Sequence, residues 1–355
     1  MRSLTITALA VALLSASGSA LAQGVADGPT ATASQGLSAM KARLAAFEGY
    51  AGVFGVSRDG QAEVASIARP DGAYPVDPST PVRWASVSKM ITAILVFQQI
   101  DAGTMALDAT VATYWPGTTV ANADRITIRQ LLGHRSGLAE ESETPDGPAG
   151  DALQYCGTAK AEPGSVFFYN NCDTIVVGKV LEAVTGRTYL DLVNSRIGAP
   201  LGLTLTLPET PRVEATMADG SAEARVWLSG FGPAGGLYGT IGDMLKIDRA
   251  LMEGRLISAA SLATMLTGDP ASGYAALSVW SYAPDLGACI GQTRLVERYG
   301  EIGGVQVRNF LLPDLDLALA VYSNDHRTDF GEVWRGEGLS LDLIRAAACG
   351  GPPAA

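Results

Sequence analysis

The stretch Trp84-Ala85-Ser86-Val87-Ser88-Lys89 runs directly into an apolar helical pattern from Met90 to Ile100, and the rest of the chain is organised around it. Ser86 and Lys89 are three residues apart, so a helix places them one above the other on a single face. A serine in the first turn also puts its own N–H among the unpaired donors of the helix start, where the dipole favours negative charge. The stretch thus combines a hydroxyl nucleophile, an amine able to take its proton and a backbone donor for an oxyanion, three parts of an acyl-transfer site. The spacing alone does not select it. Ser38-Ala39-Met40-Lys41 repeats the spacing in what reads as an ordinary surface helix before the first strand.

The bulk properties narrow the setting. Arg2, the apolar run Leu4–Leu14 and Ala20-Leu21-Ala22 before Gln23 form a secretory signal pattern, with cleavage expected after Ala22. That run is too short to span a bilayer, and the mature chain has no other candidate span. A secreted or periplasmic protein is therefore expected. A formal charge of −11 without a lysine-arginine run argues against nucleic acid and against anionic membrane surfaces. Four cysteines (Cys156, Cys172, Cys289, Cys349) allow two disulfides in three pairings. Cys156–Cys172 with Cys289–Cys349 is favoured because it closes the shorter local loop first. With only two histidines, His134 and His326, and no C-x-x-C spacing, neither a metal nor a cofactor is expected.

In chain order, residues 23–36 read as a flexible leader, followed by a helix around Leu37–Phe47. A β-hairpin comes next, turning at Arg58-Asp59-Gly60. Residues 107–229 are mainly helical with long loops, including the capping box Thr127-Ile128-Arg129-Gln130, the segment Gly133-His134-Arg135-Ser136-Gly137 and an acidic loop, Glu140–Asp146. Strand-like runs return at Tyr274–Tyr282, Thr293–Tyr299, Val305–Leu312 and Leu317–Tyr322. A last helix, Leu339–Ala348, precedes the tail 350–355. The expected fold is α+β: an antiparallel sheet flanked by helices, built from residues 37–106 and 230–349, with the helical segment 107–229 inserted as a second domain.

Two further elements carry chemistry. Tyr169-Asn170-Asn171 precedes an apolar helix, so Tyr169 and Asn171 are expected on a loop facing a cleft, where a phenol beside an ammonium loses its proton more easily. The similar Tyr322-Ser323-Asn324 reads as the end of a core strand. Arg298-Tyr299-Gly300-Glu301-Ile302-Gly303-Gly304 follows a strand, and glycines there let backbone approach a substrate closely. Gly133–Gly137 is not a Gly-x-Ser-x-Gly elbow, and His134 reads as a helix-end packing or capping residue.

Taken together and in this order, the Ser-x-x-Lys, Tyr-x-Asn and cation-x-Gly elements resemble class C β-lactamases and their relatives, the penicillin-binding D,D-peptidases, D-aminopeptidases and β-lactamase-like esterases. Supporting segments include Ile126–Leu132, Ser136-Gly137-Leu138, Pro163-Gly164, Pro200-Leu201-Gly202 and Gly235-Gly236-Leu237. The resemblance implies a serine β-lactamase-like fold, Ser86 as nucleophile, Lys89 and Tyr169 as proton-handling groups and Asn171 as a substrate ligand. The third motif departs from the family's Lys-Thr-Gly. The gap-free register sets Arg298-Tyr299-Gly300 on it, whereas the other register sets Glu301-Ile302-Gly303 there and reverses the charge. In the first, the N–H of Glu301 is the second oxyanion donor, Tyr299 fills space, and the Glu301 carboxylate repels anionic β-lactams. The reading that follows is an exported serine hydrolase acting through an acyl-enzyme on small esters, amides or peptide-like substrates. A true class C-type β-lactamase and a non-catalytic penicillin-binding-like protein stand as alternatives.

Overall fold

The computed structural model describes residues 31–139, 156 and 158–351. The expected signal segment, leader residues 23–30, the acidic loop Glu140–Asp146 and the last four residues lie outside them. The chain begins with α1 (Ala33–Ala45), β1 (Gly52–Arg58), β2 (Gln61–Ile67), β3 (Val82–Arg83) and α2 (Ser88–Asp101). It continues through α3 (Cys172–Thr185), β4 (Tyr238–Gly239) and α4 (Ile241–Met252). It closes with β5 (Trp280–Tyr282), β6 (Leu295–Ile302), β7 (Val305–Leu312), β8 (Leu317–Ser323) and α5 (Leu339–Cys349).

The local signals explain most of these boundaries. Asp59 and Gly60 both have positive φ, the backbone a tight two-residue hairpin needs between β1 and β2. Thr127 and Gln130 form the expected reciprocal cap, and Thr240 with Asp243 does the same at the start of α4. Helix α1 starts four residues earlier than expected, because Thr32 and Gln35 form a capping box inside what composition alone marks as leader. The expected strand Tyr274–Tyr282 shrinks to Trp280–Tyr282. Tyr274 and Ser278 take positive φ, which turns the chain where a strand would extend.

The main sheet is antiparallel throughout, in the order β2-β1-β8-β7-β6-β5. Strands from the two ends of the chain therefore interleave, with Gly52 opposite Ser323. Side chains alternate across the sheet. Phe54, Val56, Phe310, Leu312, Leu319 and Val321 face one way and pack with Met40 and Leu44 of α1 and Leu343 and Ile344 of α5. Val53, Val307, Leu311, Ala320 and Tyr322 face the other way and share one continuous core with α2, α3 and α4. The helical segment and the sheet are thus joined through common apolar packing, and α2 is buried along nearly its whole length.

One buried carboxyl in that core makes a stability prediction. Asp248 of α4 is fully buried, and Asn309 Nδ2 donates to its Oδ1 at 3.0 Å. Burial pushes its pKa up to about 7, the Asn309 bond pulling only partly back. Among the described residues Asp248 Oδ2 and Asn309 Oδ1 have no hydrogen-bond partner, so a proton on the carboxyl supplies a donor where two acceptors lack one. An unfolded aspartate titrates near pH ~4, so between about pH 4 and pH 7 the folded state holds the extra proton and stability falls as pH rises. Asp248→Asn is expected to gain about 1–3 kcal/mol at pH 8 and to be close to neutral at pH 4, read from urea unfolding at both values.

Candidate active site

Ser86 lies in a single tight turn, Ala85–Val87, at the head of α2. The preceding Ala85 has φ +46°, a left-handed conformation disfavoured for a residue with a Cβ. Tertiary contacts hold it there. Trp84 N donates to Leu237 O at 2.9 Å and the Trp84 indole to Gly239 O at 3.1 Å. On the other side, β6 presses against the turn at Gly300, where a Cβ would sit 2.5 Å from Trp84 O and 3.1 Å from Ser86 N. Only glycine allows that approach.

Two side chains reach the Ser86 hydroxyl, and two more hold them in place. The Lys89 ammonium is fully buried and donates to Ser86 Oγ at 3.1 Å, to Asn171 Oδ1 at 2.6 Å and to Ala234 O at 2.9 Å. The Tyr169 hydroxyl lies 2.8 Å from Oγ. Arg298 Nη2 donates to the Tyr169 oxygen at 2.7 Å, and its Nε donates to Ser86 O at 2.9 Å. Burial raises the Tyr169 pKa, but the positive charges of Arg298 and Lys89 outweigh it and bring the phenol down to about 8. The structure therefore brings together Ser86, Lys89, Tyr169, Asn171, Arg298 and Gly300. The second Ser-x-x-Lys lies on the outer surface of α1, with Ser38 and Lys41 exposed, and Tyr322 closes a buried strand.

Of the two side chains expected at the cleft, one is there and one is not. Strand alternation puts Arg298 and Gly300 on the Ser86 side of β6 and turns Tyr299 away, whereas Glu301, at the end of the strand, lines the Ser86 cleft. Tyr299 does not fill the cleft: its hydroxyl donates to Glu297 Oε2 at 2.8 Å, and its ring packs on Phe310. The Glu301 carboxylate is drawn to Arg308 Nη2 at 2.9 Å, with His326 at 3.9 Å, so its charge is compensated. The backbone of this strand is better placed than its side chains. Pairing with β5 stops at Glu297, which leaves residues 298–302 with a sheet neighbour on one side only. The cleft beside Ser86, about 520 Å³, is bordered by this edge, Tyr169, Asn171, Arg225 and the Glu301 side chain.

Several contributors carry no sequence signal of their own. His134 is buried under Tyr169 with ring centroids 4.6 Å apart, and its Nδ1 lies 3.5 Å from Asp173 Oδ2. Burial and the charges of Arg298 and Lys89 hold it neutral. Trp280 lies against both Tyr169 and Arg298, at 6.0 and 5.1 Å. Cys172 opens α3 directly after Asn171 and is disulfide-bonded to Cys156; Cys289 bonds to Cys349, giving the favoured pairing. Among the described residues no group of side chains is arranged to hold a metal.

This architecture is matched by known proteins. The chain belongs to the beta-lactamase family, whose model matches residues 38–340. It is 33% identical over 208 residues to penicillin-binding protein 4 of Amycolatopsis lactamdurans, covering 51% of this chain and 55% of that protein. It is 30% identical over 184 residues to the D-alanyl-D-alanine-carboxypeptidase/endopeptidase AmpH of Escherichia coli, covering 46% of this chain and 47% of the relative. The matches thus span about half the length of these relatives. Among solved structures, D-amino acid amidase from Ochrobactrum anthropi SV3 superposes with a TM-score of 0.71 at 22% identity, over 88% of this chain and 97% of that one. The fold is that of the serine β-lactamase-like proteins, as the sequence implies.

Proposed function

We propose that the protein is a serine hydrolase that forms an acyl-enzyme on Ser86 and acts on small amides or esters. One observation carries this: the Ser86 hydroxyl is within hydrogen-bond reach of both Lys89 and a Tyr169 whose phenol is held at about 8 by two cations. In the acylation step Ser86 Oγ attacks the substrate carbonyl while Tyr169, as phenolate, with Lys89 beside it, takes the hydroxyl proton. The same proton passes to the leaving group, and water then repeats the sequence on the acyl-enzyme. The N–H groups of Ser86 and Glu301 are assigned to the oxyanion. Asn171, which accepts from Lys89, is assigned to the substrate's polar backbone. The matched proteins, an amidase of D-amino acids and a D-alanyl-D-alanine carboxypeptidase/endopeptidase, favour amides and peptides of D-amino acids.

Repulsion of anionic substrates by Glu301, which lines the cleft, is offset by Arg308, which engages that carboxylate. A second reading is favoured by Arg225. Its guanidinium borders the cleft, stacked on Trp227 at 4.0 Å, and suits a substrate carboxylate such as that of a β-lactam or a peptide end. The two disulfides fit an oxidising compartment and so support export. A fluorophosphonate probe tests the main proposal: Ser86 should be labelled, and an unlabelled wild-type protein would leave only a binding role. A panel of D-amino acid amides, p-nitrophenyl esters and nitrocefin, run on wild type and Arg225→Ala, decides the charge class. Loss of nitrocefin turnover alone in the variant would support the second reading.

The pH profile offers a separate check. Removing the Arg298 cation removes the largest influence that lowers the Tyr169 pKa, so the phenol moves back toward its ordinary value. The acidic limb of kcat/KM, expected near pH 8 in wild type, should shift upward by about one unit in Arg298→Gln. An unshifted limb would remove Tyr169 from the role of base.

A further inference from the structure

The face of β6 opposite Arg298 opens onto a cavity of about 730 Å³. Its walls are the rings of Tyr274, Trp280, Tyr282, Tyr299 and Trp334. Two carboxylates, Glu297 and Glu332, and the Arg335 guanidinium complete it. Tyr274 and Tyr282 lie 6.0 Å apart, tilted toward one another. Trp334 is 63% exposed and Tyr274 46%, so large ring surface is left at the mouth with little to cover it. Arg335 already stacks on Trp334 at 4.9 Å, a cation resting on one of these rings.

Glu297 is the decisive group. It is only 4% exposed, yet it lines the cavity and has no basic partner within 4.0 Å among the described residues. Its oxygens accept from Tyr282 at 3.1 Å and Tyr299 at 2.8 Å. Arg308, on the adjoining strand, is engaged by Glu301. A buried carboxylate hydrogen-bonded only by neutral hydroxyls, with Arg308 acting on it from a distance, keeps much of its charge uncompensated. Aromatic faces around such a carboxylate form a cage for an organic cation, since ring quadrupole and charge then attract the same group.

We propose that this cavity binds a substituted ammonium group, with Glu297 as its counter-ion and Tyr274, Trp280 and Trp334 as its aromatic walls. The ligand class is an alkylated or primary amine carried on a small molecule. An anion is disfavoured, since the two carboxylates outnumber the one cation, Arg335, in the lining. A neutral sugar would use the rings but leave Glu297 uncompensated. Burial, with Glu332 adding to it, pushes the Glu297 pKa up to about 7 against the opposing bonds from Tyr299 and Tyr282 and the charge of Arg308. A bound cation favours the ionised form, so affinity should rise as pH increases through neutrality.

Choline and its neutral isostere 3,3-dimethylbutan-1-ol, titrated by calorimetry and tryptophan fluorescence at pH 8, test the site. Choline is expected to bind at least tenfold tighter than the isostere. Glu297→Gln should weaken it tenfold or more. Trp334→Ala, at an exposed position where folding is not at risk, should weaken it threefold or more with an unchanged melting temperature. Choline should bind Ser86→Ala as it binds wild type, so the outcome is independent of the hydrolase proposal. The proposal is overturned if choline binding is not saturable, if the isostere or N-acetylglucosamine binds as tightly, or if binding survives both cavity substitutions.

Discussion

Ser86→Ala is expected to lower kcat/KM on every substrate the protein turns over by about 10⁴-fold or more, in line with removal of the serine from a Ser-His-Asp triad. The loss should fall on kcat, because the binding surface is untouched and substrate affinity should persist. Oγ lies in the half-buried mouth of the cleft, so its removal leaves no cavity in the core. The melting temperature should stay within a few degrees of wild type. Intact-mass spectrometry after incubation with a slow substrate or with a fluorophosphonate should show an adduct on wild type and none on the variant. Retained turnover would show that the nucleophile lies elsewhere, and Ser136 would be tested next. Ser136 is a weak candidate, since it is fully buried and its hydroxyl is spent on the Asp173 carboxylate.

Lys89→Met should be nearly as damaging, by about 10²–10⁴-fold in kcat/KM, the range for loss of a positioned acid–base group. Two effects add. The variant loses the donor that orients Ser86 Oγ and Asn171 Oδ1, and it also loses one of the two cations that lower the Tyr169 pKa. The residual activity should therefore show an acidic limb displaced to higher pH, in the same sense as Arg298→Gln. Methionine occupies a similar volume without a buried charge, so a large loss of stability is not expected. Failure to fold would instead mark the ammonium's bond to Ala234 O as structural, and Lys89→Arg would then separate the two roles.

Much of this site is legible in the sequence for reasons of period. Ser86 and Lys89 share a helical face because they are three apart, and Tyr169 and Asn171 declare themselves as a loop ahead of an apolar helix. Arg298 and Gly300 follow from strand alternation, and the same rule turns Tyr299 to the opposite side, while Glu301 near the strand end still reaches the cleft. Assigning Tyr299 to the cleft overlooks a period of two, applied to a strand that ends at Ile302 rather than Tyr299. What stays hidden is non-local. The positive φ of Ala85, the stacking of His134 beneath Tyr169 and the wall supplied by Trp280 depend on segments far away in the chain. The buried pair of Arg83 and Glu223, 2.7 Å apart, is invisible for the same reason.

The interleaved sheet also sets when reactivity can arise. Strand β8 is threaded between β1 and β7, so a strand made near the start of synthesis waits beside an empty slot until residues 317–323 leave the ribosome. Until that strand pairs, β7 and β6 have no sheet connection to β1. Such long-range closure is slow. Assembly of the serine site is therefore expected to depend on residues 317–323, and a chain truncated before them should show no fluorophosphonate labelling of Ser86.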